Sequence, residues 1–225
     1  MDKKFSGRFF LLATLFCVCL VTSNLYACKL FSVCGFTLSG AVVLFPVTYI
    51  INDCLAEVYG YRKARFVIWT AFAVNIFVNI ISMLVVALPA ASFWTDGEAF
   101  NYVFKAAPRA TLASLLAFLA GSTLNAAVMS KMKVADKGKR FGIRAIVSSL
   151  AGETLDSLIF VPIVFRAIGV PAMLKLIAGQ IVVKVTYEII ILPATAAVVR
   201  WLKKTEQTDE FDHDISYNPF KIKDI

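Results

Sequence analysis

The sequence predicts an all-α polytopic membrane protein, a bundle of six transmembrane helices with the N-terminus and the C-terminus in the cytoplasm. The first observation is composition: the 225 residues are 59% hydrophobic and only 17% charged. A soluble domain of this size has about 45–50% apolar and about 25% charged residues. The composition therefore excludes a soluble globular enzyme and a disordered protein, and it indicates an integral membrane protein.

The second observation is six apolar runs, each long enough to cross a bilayer core that needs about 20 residues per helix. The runs lack the alternation that is typical of membrane strands. The first run is longer than the core of a cleaved signal peptide, about 7–15 residues, so it is predicted to be a helix of the bundle. We predict a six-helix transmembrane domain at 1–204 with transmembrane helices at 9–30, 36–58, 64–88, 109–129, 144–168 and 172–201.

The third observation is the distribution of basic residues, which concentrate in the cytoplasmic loops of membrane proteins. With the N-terminus inside, seventeen of the 23 Lys and Arg residues fall on the cytoplasmic side and four on the other side. The net charge of +8 therefore reflects membrane topology, and we predict the lipid bilayer, not nucleic acid, as a partner. The acidic segment 205–225 is predicted to be a disordered cytoplasmic tail.

Cysteine and histidine residues show no pattern that is typical of a metal site. The five cysteines form no CxxC pair, and His213 is the one histidine in the sequence. Because a zinc site needs clustered Cys, His or carboxylate ligands, we expect no metal and no cofactor. The sequence also has no ATP-binding loop.

Charged residues in the middle of the last two helices are the strongest functional signal. An Asp or Lys at a helix centre costs about 2.5–3.5 kcal/mol on insertion scales. Glu153 and Asp156 are three residues apart on the fifth helix, and Lys184 and Glu188 are four apart on the sixth, so each pair shares a helix face. In one interpretation, Lys184 forms an internal ion pair with Asp156 or Glu188. In the other, three acids facing one base form the centre of a ligand-binding site.

Other polar residues in the helices give weaker signals. Four asparagine side chains are candidates for either helix–helix contacts or ligand contacts. They are Asn24, Asn75, Asn79 and Asn125. Asp53 and Glu57 lie one turn apart at the cytoplasmic end of the second helix, close to Arg65 in the sequence. We predict that these three residues form a salt-bridge network that acts as an inner gate.

Several motifs resemble those of the queuosine precursor transporter family. The second-helix motif P-x2-Y-x3-D-x3-E-x-Y-G-x3-A-R comprises Pro46, Tyr49, Asp53, Glu57, Tyr59, Gly60, Ala64 and Arg65. Further matches are Thr22-Ser23-Asn24, Arg109-x4-Ser114, Gly152-Glu153-x2-Asp156-Ser157-x2-Phe160, Lys184 and Pro193. The resemblance covers about residues 10–203. In departures from the family, Glu153 stands where members often carry an amide, and Ser122 and Asn125 replace a Gln and an Asp.

The resemblance implies a six-helix importer of the bacterial inner membrane, and not an enzyme. Its cargo would be the 7-deazaguanine bases preQ0, preQ1 or queuine, which are used for tRNA modification. A 7-deazaguanine presents a ring N–H beside an exocyclic amine, two donors that a carboxylate accepts. We expect Glu153 or Asp156 to accept from this edge, Lys184 or an asparagine to donate to the ring carbonyl, and Glu188 or the other acid to meet the amine of preQ1 and queuine. The residues expected to flank the ring are Tyr49, Phe45 and Phe160.

Alternative functions fit some of the same observations. A substrate-binding subunit that docks on a separate ATPase has a similar size and also lacks a nucleotide loop. An intramembrane aspartyl protease is disfavoured because the G-x-G-D motif is absent, and a scaffold is disfavoured by the charge in the middle of the helices. Small residues in the fourth helix allow a homo-oligomer without specifying one.

Overall fold

The computed structural model describes residues 5–33, 36–104, 108–165 and 169–221. Of the basic residues in the topology count, Lys3, Lys4, Lys105, Arg166 and Lys223 lie outside the described residues. Within the described ranges the α-helices are α1 (Gly7–Tyr26), α2 (Phe45–Tyr59), α3 (Tyr61–Val86), α4 (Gly97–Phe104), α5 (Pro108–Ala135), α6 (Phe141–Phe165) and α7 (Val170–Glu206).

Six helices of the described chain are long and apolar enough to cross a membrane, which confirms the predicted number of spans. They are α1, the segment Gly40–Tyr59 that contains α2, and α3, α5, α6 and α7. At 1.5 Å per residue, the 37 residues of α7 extend about 55 Å, well beyond a hydrocarbon core of about 30 Å. Arg8 in α1 and Glu206 in α7 form a salt bridge of 2.9 Å, so the start of α1 and the end of α7 lie at the same end of the bundle.

The second membrane-crossing segment begins differently from the prediction. The strands β1 (Leu30–Val33) and β2 (Phe36–Ser39) form an antiparallel hairpin, and a 3₁₀ turn at Gly40–Val43 follows. Pro46 lies in the first turn of α2, where its missing N–H costs no hydrogen bond and its fixed φ favours a helix start. The predicted helix at 36–58 is therefore wrong at 36–39, where the chain forms β2, and the all-α prediction missed this short hairpin. The helical segment that is long enough to cross a membrane begins at Gly40.

Helix α2 lies at the centre of the bundle. Twelve of its fifteen residues are buried, and it contacts α1, α3, α5 and α7. By contrast, α3 and α7 expose large apolar side chains such as Phe77, Leu84 and Ile190, which is the pattern of a lipid-facing surface. Polar side chains on α2 can therefore be satisfied only by other parts of the protein or by a ligand.

Two glycines let α5 and α6 cross closely beside Tyr49. A Cβ atom placed on Gly121 would lie 2.7 Å from the carbonyl oxygen of Gly152 and 2.7 Å from the hydroxyl of Tyr49. A Cβ atom on Gly152 would lie 2.7 Å from the carbonyl oxygen of Gly121. Since the contacts are with backbone atoms, a larger residue requires the helices to separate.

We predict that Gly121→Ala destabilises the protein by about 1–3 kcal/mol, the usual cost of overpacking. The control is Gly179→Ala, a helical position with no atom within 4 Å of the added Cβ. This control should be neutral or stabilising, by roughly 0.5–1 kcal/mol. Thermal unfolding of the detergent-purified variants measures both effects, and equal melting temperatures for the two variants would contradict the crossing described here.

The segment after α7, predicted to be disordered, folds back onto the bundle end at the α2–α3 junction. The Asp212 carboxylate, 9% exposed, accepts hydrogen bonds from the Tyr61 backbone N–H at 2.7 Å and the Ser130 hydroxyl at 2.5 Å. Because Tyr61 is the first residue of α3, Asp212 acts as a cap at a helix N-terminus, where a negative charge is favourable. The disorder prediction was wrong here because the acidic residues have specific partners.

Side chains of α3 hold the same segment further along. The Arg65 guanidinium donates to the carbonyl oxygen of Asn218 and the Trp69 indole to that of Pro219, both at 2.7 Å. Arg65 is only 1% exposed, and its bonds to the segment are made by Nη1, whereas its Nε has no hydrogen-bond partner in the described chain. The segment is therefore part of the packed structure of this end of the bundle.

Asp209 anchors the beginning of the segment. Its Oδ1 lies 2.5 Å from Lys133 Nζ and 2.9 Å from Lys203 Nζ. Burial raises the pKa of this carboxyl, but the hydrogen bonds and charges of Lys133 and Lys203 outweigh burial and lower the pKa below its ordinary value. A lowered pKa in the folded state stabilises the fold above about pH 4, and this contribution is lost as the pH falls through the lowered pKa.

We predict that Asp212→Asn increases proteolytic cleavage of the segment after α7 by about tenfold, since a hydrogen bond to a charged group contributes about 1.5–3 kcal/mol. The matched control is Asp214→Asn, because Asp214 is exposed. Limited proteolysis with mass spectrometry measures the cleavage rates. A disordered segment would instead be cleaved at the same rate in the wild type and both variants.

Candidate functional site

Side chains on α6 mark three levels of the bundle. Arg144 lies in the first turn of α6, Glu153 and Asp156 lie halfway along it, and Phe160 lies near its end. Each level brings together residues from several helices. The levels differ in how completely their polar atoms are paired.

The middle level, here called the acid cluster, consists of Asp53, Glu153, Asp156, Lys184 and Glu188. Lys184 Nζ donates to Asp156 Oδ2 at 2.8 Å, and it also lies 4.9 Å from the centre of the Phe45 ring. The first sequence interpretation, an internal ion pair, therefore describes Lys184 and Asp156. It leaves Glu153 and Glu188, which are 1% and 5% exposed, without a basic partner among the described residues.

Four polar atoms of this level have no hydrogen-bond partner in the described part of the chain. They are Asp53 Oδ2, Glu153 Oε2, Glu188 Oε1 and the hydroxyl oxygen of Tyr49. Tyr49 is 1% exposed and is close enough to Glu153, Asp156 and Glu188 to interact with them electrostatically. Burying polar groups without partners is unfavourable, so this level is suited to a ligand that supplies hydrogen-bond donors.

Asp53 belongs to the acid cluster and not to a network with Arg65. Its Oδ1 accepts from Asn125 Nδ2 at 3.0 Å and from the Ser148 hydroxyl at 3.5 Å. Asn125 in turn accepts from Asn52 Nδ2 at 2.7 Å. Asn125, the predicted ligand contact of α5, is therefore engaged in helix–helix contacts, which was the other use considered for it.

The level next to the α2–α3 junction, here called the ionic cluster, is centred on Glu57. Glu57 is completely buried, and its Oε1 lies 2.8 Å from Arg144 Nη2 and 2.6 Å from Lys203 Nζ. Arg144 also binds Asp136 at 2.7 Å. Of the three residues predicted to form the inner gate, only Glu57 forms salt bridges here, because Asp53 binds amides and hydroxyls and Arg65 binds backbone carbonyl groups.

We predict that Glu57→Gln lowers the free energy of unfolding by about 3 kcal/mol, the lower end of the range for breaking a buried ion pair. The lower end applies because Arg144 and Lys203 keep Asp136 and Asp209 as partners. Thermal or denaturant unfolding of purified protein measures the change. The matched control Glu206→Gln breaks a bridge to an arginine that is 45% exposed and should cost less than about 1 kcal/mol; a similar cost for both variants would contradict this ranking.

The third level is a cavity of about 150 Å³ between α1, α3, α4, α5 and α6, here called the amide cavity. Phe160 lies in its wall, and its polar lining residues are Asn24, Asn75, Asn79, Ser82 and Ser114. Ser114 donates to Asn24 at 3.1 Å, and Asn79 donates to Asn75 at 3.0 Å. The structure thus separates these predicted contacts from the acids, and Phe160, one turn beyond Asp156, is the closest link between the two levels.

Sequence reasoning missed several residues of the interior. They are Asn52, Lys133, Arg144, Ser148 and Lys203. Arg144, Ser148, Gly152 and Asp156 recur at four-residue steps, which places them on one face of α6, and this spacing could have identified Ser148 and Arg144. No such spacing identified Lys133 and Lys203, because the topology count had assigned both of them to cytoplasmic segments.

Comparisons with known proteins connect this geometry to transport. Residues 39–198 match the family described as "Putative vitamin uptake transporter". The chain belongs to this family. It is also 26% identical over 190 residues to a protein of Bacillus subtilis (strain 168) named "Probable queuosine precursor transporter", a match that covers 84% of this chain and 83% of the relative. No solved structure matches the chain. Together with the six apolar helices, family membership makes this chain a multi-pass membrane protein of a transporter family.

Proposed function

We propose that this chain imports queuosine precursors, the 7-deazaguanines preQ0, preQ1 or queuine, for tRNA modification, and that it is a transporter and not an enzyme. The observation that carries the proposal is the match along most of both chains to the Bacillus subtilis protein with that name. The unpartnered buried carboxylates of the acid cluster support it, because the guanine-like edge of these bases offers two adjacent donors. We place the protein in the bacterial inner membrane.

We further propose that both termini lie in the cytoplasm. The excess of Lys and Arg at the end of the bundle that carries the termini supports this orientation. It places the ionic cluster at the cytoplasmic end, the acid cluster in the middle and the amide cavity toward the outside. A substrate moving inward would meet these three levels in reverse order.

Within the acid cluster, Glu153 is the better candidate than Asp156 for accepting the guanine-like edge. Asp156 already accepts from Lys184 at 2.8 Å, whereas Glu153 Oε2 has no partner in the described chain. Lys184 can donate to the ring carbonyl only by sharing or leaving Asp156. Phe45, directly under the Lys184 ammonium group, and Tyr49 would flank the ring, and Glu188 would meet the amine of preQ1 or queuine.

The amide cavity would be the first contact from the outside. Its volume of about 150 Å³ is below the usual range for ligand pockets, about 300–1,000 Å³. A bound base would therefore require the helices around it to separate slightly. Asn24, Asn75, Asn79 and Phe160 are the residues that we propose for this contact.

We predict that a host lacking its own importer accumulates labelled preQ0 or preQ1 when it expresses this chain alone. Glu153→Ala should reduce uptake at least about tenfold, since removing the side-chain acceptor loses a charge-assisted hydrogen bond of about 1.5–3 kcal/mol. The matched control is Glu98→Ala, because Glu98 is exposed on α4, and it should transport like the wild type. Membrane abundance of each variant is measured in parallel.

Two results would contradict the proposal. One is uptake of an unrelated vitamin in preference to all three 7-deazaguanines. The other is uptake that requires coexpression of a separate ATPase, which would favour the alternative of a substrate-binding subunit. Unchanged uptake by the Glu153→Ala variant would contradict the role of Glu153 alone.

A further inference from the structure

Two acidic side chains of the bundle meet each other instead of a base. Asp53 of α2 and Glu188 of α7 are 1% and 5% exposed, each has a carboxyl oxygen without a hydrogen-bond partner in the described chain, and the two groups are close enough to interact. An ionised carboxylate accepts hydrogen bonds but donates none. Two such carboxyl groups can therefore bond to each other only when one of them carries a proton.

The surrounding charged groups do not supply a counterion for this pair. On α2 the neighbouring acid is Glu57, on α6 the acids are Glu153 and Asp156, and α5 contributes the neutral Asn125. Three bases of these helices bind other acids: Arg144 and Lys203 bind Glu57, and Lys184 binds Asp156. Asp53 Oδ2 and Glu188 Oε1 have no hydrogen-bond donor in the described chain. Tyr49, also without a partner, is close to both acids.

We propose that Asp53 and Glu188 form a proton-binding site, and that import of the substrate is coupled to entry of this proton. The substrate part of the proposal rests on the function proposed above. A proton from the outside binds between the two carboxyl groups as an O–H donor from one to the other, and it leaves toward the cytoplasm. A metal ion is disfavoured, since the described His, Cys, Asp and Glu side chains include no group of three or more that could hold one.

The link between proton and substrate is Lys184. Glu188 lies one helical turn after Lys184 on α7, so their side chains share a face of the helix. With the proton bound, the Asp53–Glu188 pair has one negative charge and Lys184 remains with Asp156. When the proton leaves, the pair has two negative charges and attracts Lys184 away from Asp156. Lys184, which we expect to donate to the ring carbonyl, therefore moves.

The first experiment measures the proton without any substrate. Infrared spectra of the purified full chain at neutral pH should contain the C=O stretch of a protonated carboxyl group, which is separate from the carboxylate bands. Part of this band should be lost in both Asp53→Asn and Glu188→Gln and kept in the exposed control Glu98→Gln. Absence of the band in the wild type, or its full retention in both variants, would overturn the proton site whatever the substrate is.

The second experiment measures coupling in liposomes that contain the full chain and a pH-sensitive dye. The substrate is preQ0, which carries no amine charge of its own. We expect uptake to increase several-fold when the side of substrate addition is acidic, and we expect acidification of the lumen during uptake. In Asp53→Asn and Glu188→Gln the response to the pH gradient should be lost, and preQ0 should still raise the melting temperature of the Asp53→Asn variant.

The results separate the two proposals. Uptake of preQ0 that neither moves protons nor responds to the pH gradient would overturn coupling and leave the importer function intact. The same holds if a sodium gradient replaces the proton gradient. Absence of uptake for every 7-deazaguanine, with the infrared band present and lost in the variants, would overturn the importer function and the coupling while keeping the proton site.

Discussion

The balance between acids and bases inside the bundle distinguishes its structural part from its functional part. Around the ionic cluster the two kinds of charge match. Its acids are Glu57, Asp136 and Asp209, and its bases are Lys133, Arg144 and Lys203. In the acid cluster, four carboxyl groups face one lysine. Charge that remains unmatched at low dielectric is unfavourable. The ionic cluster can therefore hold the helices together without a ligand, whereas the acid cluster depends on a bound ligand or proton.

Helix α2 connects these two levels. Tyr49, Asp53 and Glu57 recur at four-residue steps, so they form one row along a helix that is buried on nearly all sides. Tyr49 is next to the close crossing of α5 and α6, Asp53 meets α5, α6 and α7, and Glu57 meets α6 and α7. A displacement of α2 would therefore change the packing, the carboxyl contact and the salt bridges together.

The sequence was sufficient for the number of spans, because six apolar runs of the required length leave little choice in a bilayer. It was insufficient for the start of α2, where Pro46 marks a helix start but the preceding apolar residues fit a strand or a helix equally well. The sequence also could not decide whether Lys184 pairs with Asp156 or with Glu188, since the predicted helices allow either ion pair. The sequence also could not predict the partners of Arg65, which are backbone carbonyl groups of the segment after α7. The composition of that segment resembles a disordered tail, although Asp212 and Asp209 have fixed partners.

Contacts between α3 and the segment after α7 use mainly carbonyl groups of that segment. Arg65 binds the carbonyl groups of Ser216 and Asn218, Trp69 binds that of Pro219, and the Tyr61 hydroxyl binds that of Tyr217. Every amino acid offers a backbone carbonyl, so replacing side chains at 216–219 leaves these bonds in place. The spacing from Asp212 to Pro219 has no such tolerance, because a single insertion or deletion would shift every acceptor out of register. Evolution should therefore change the identity of these residues far more readily than the length of the segment.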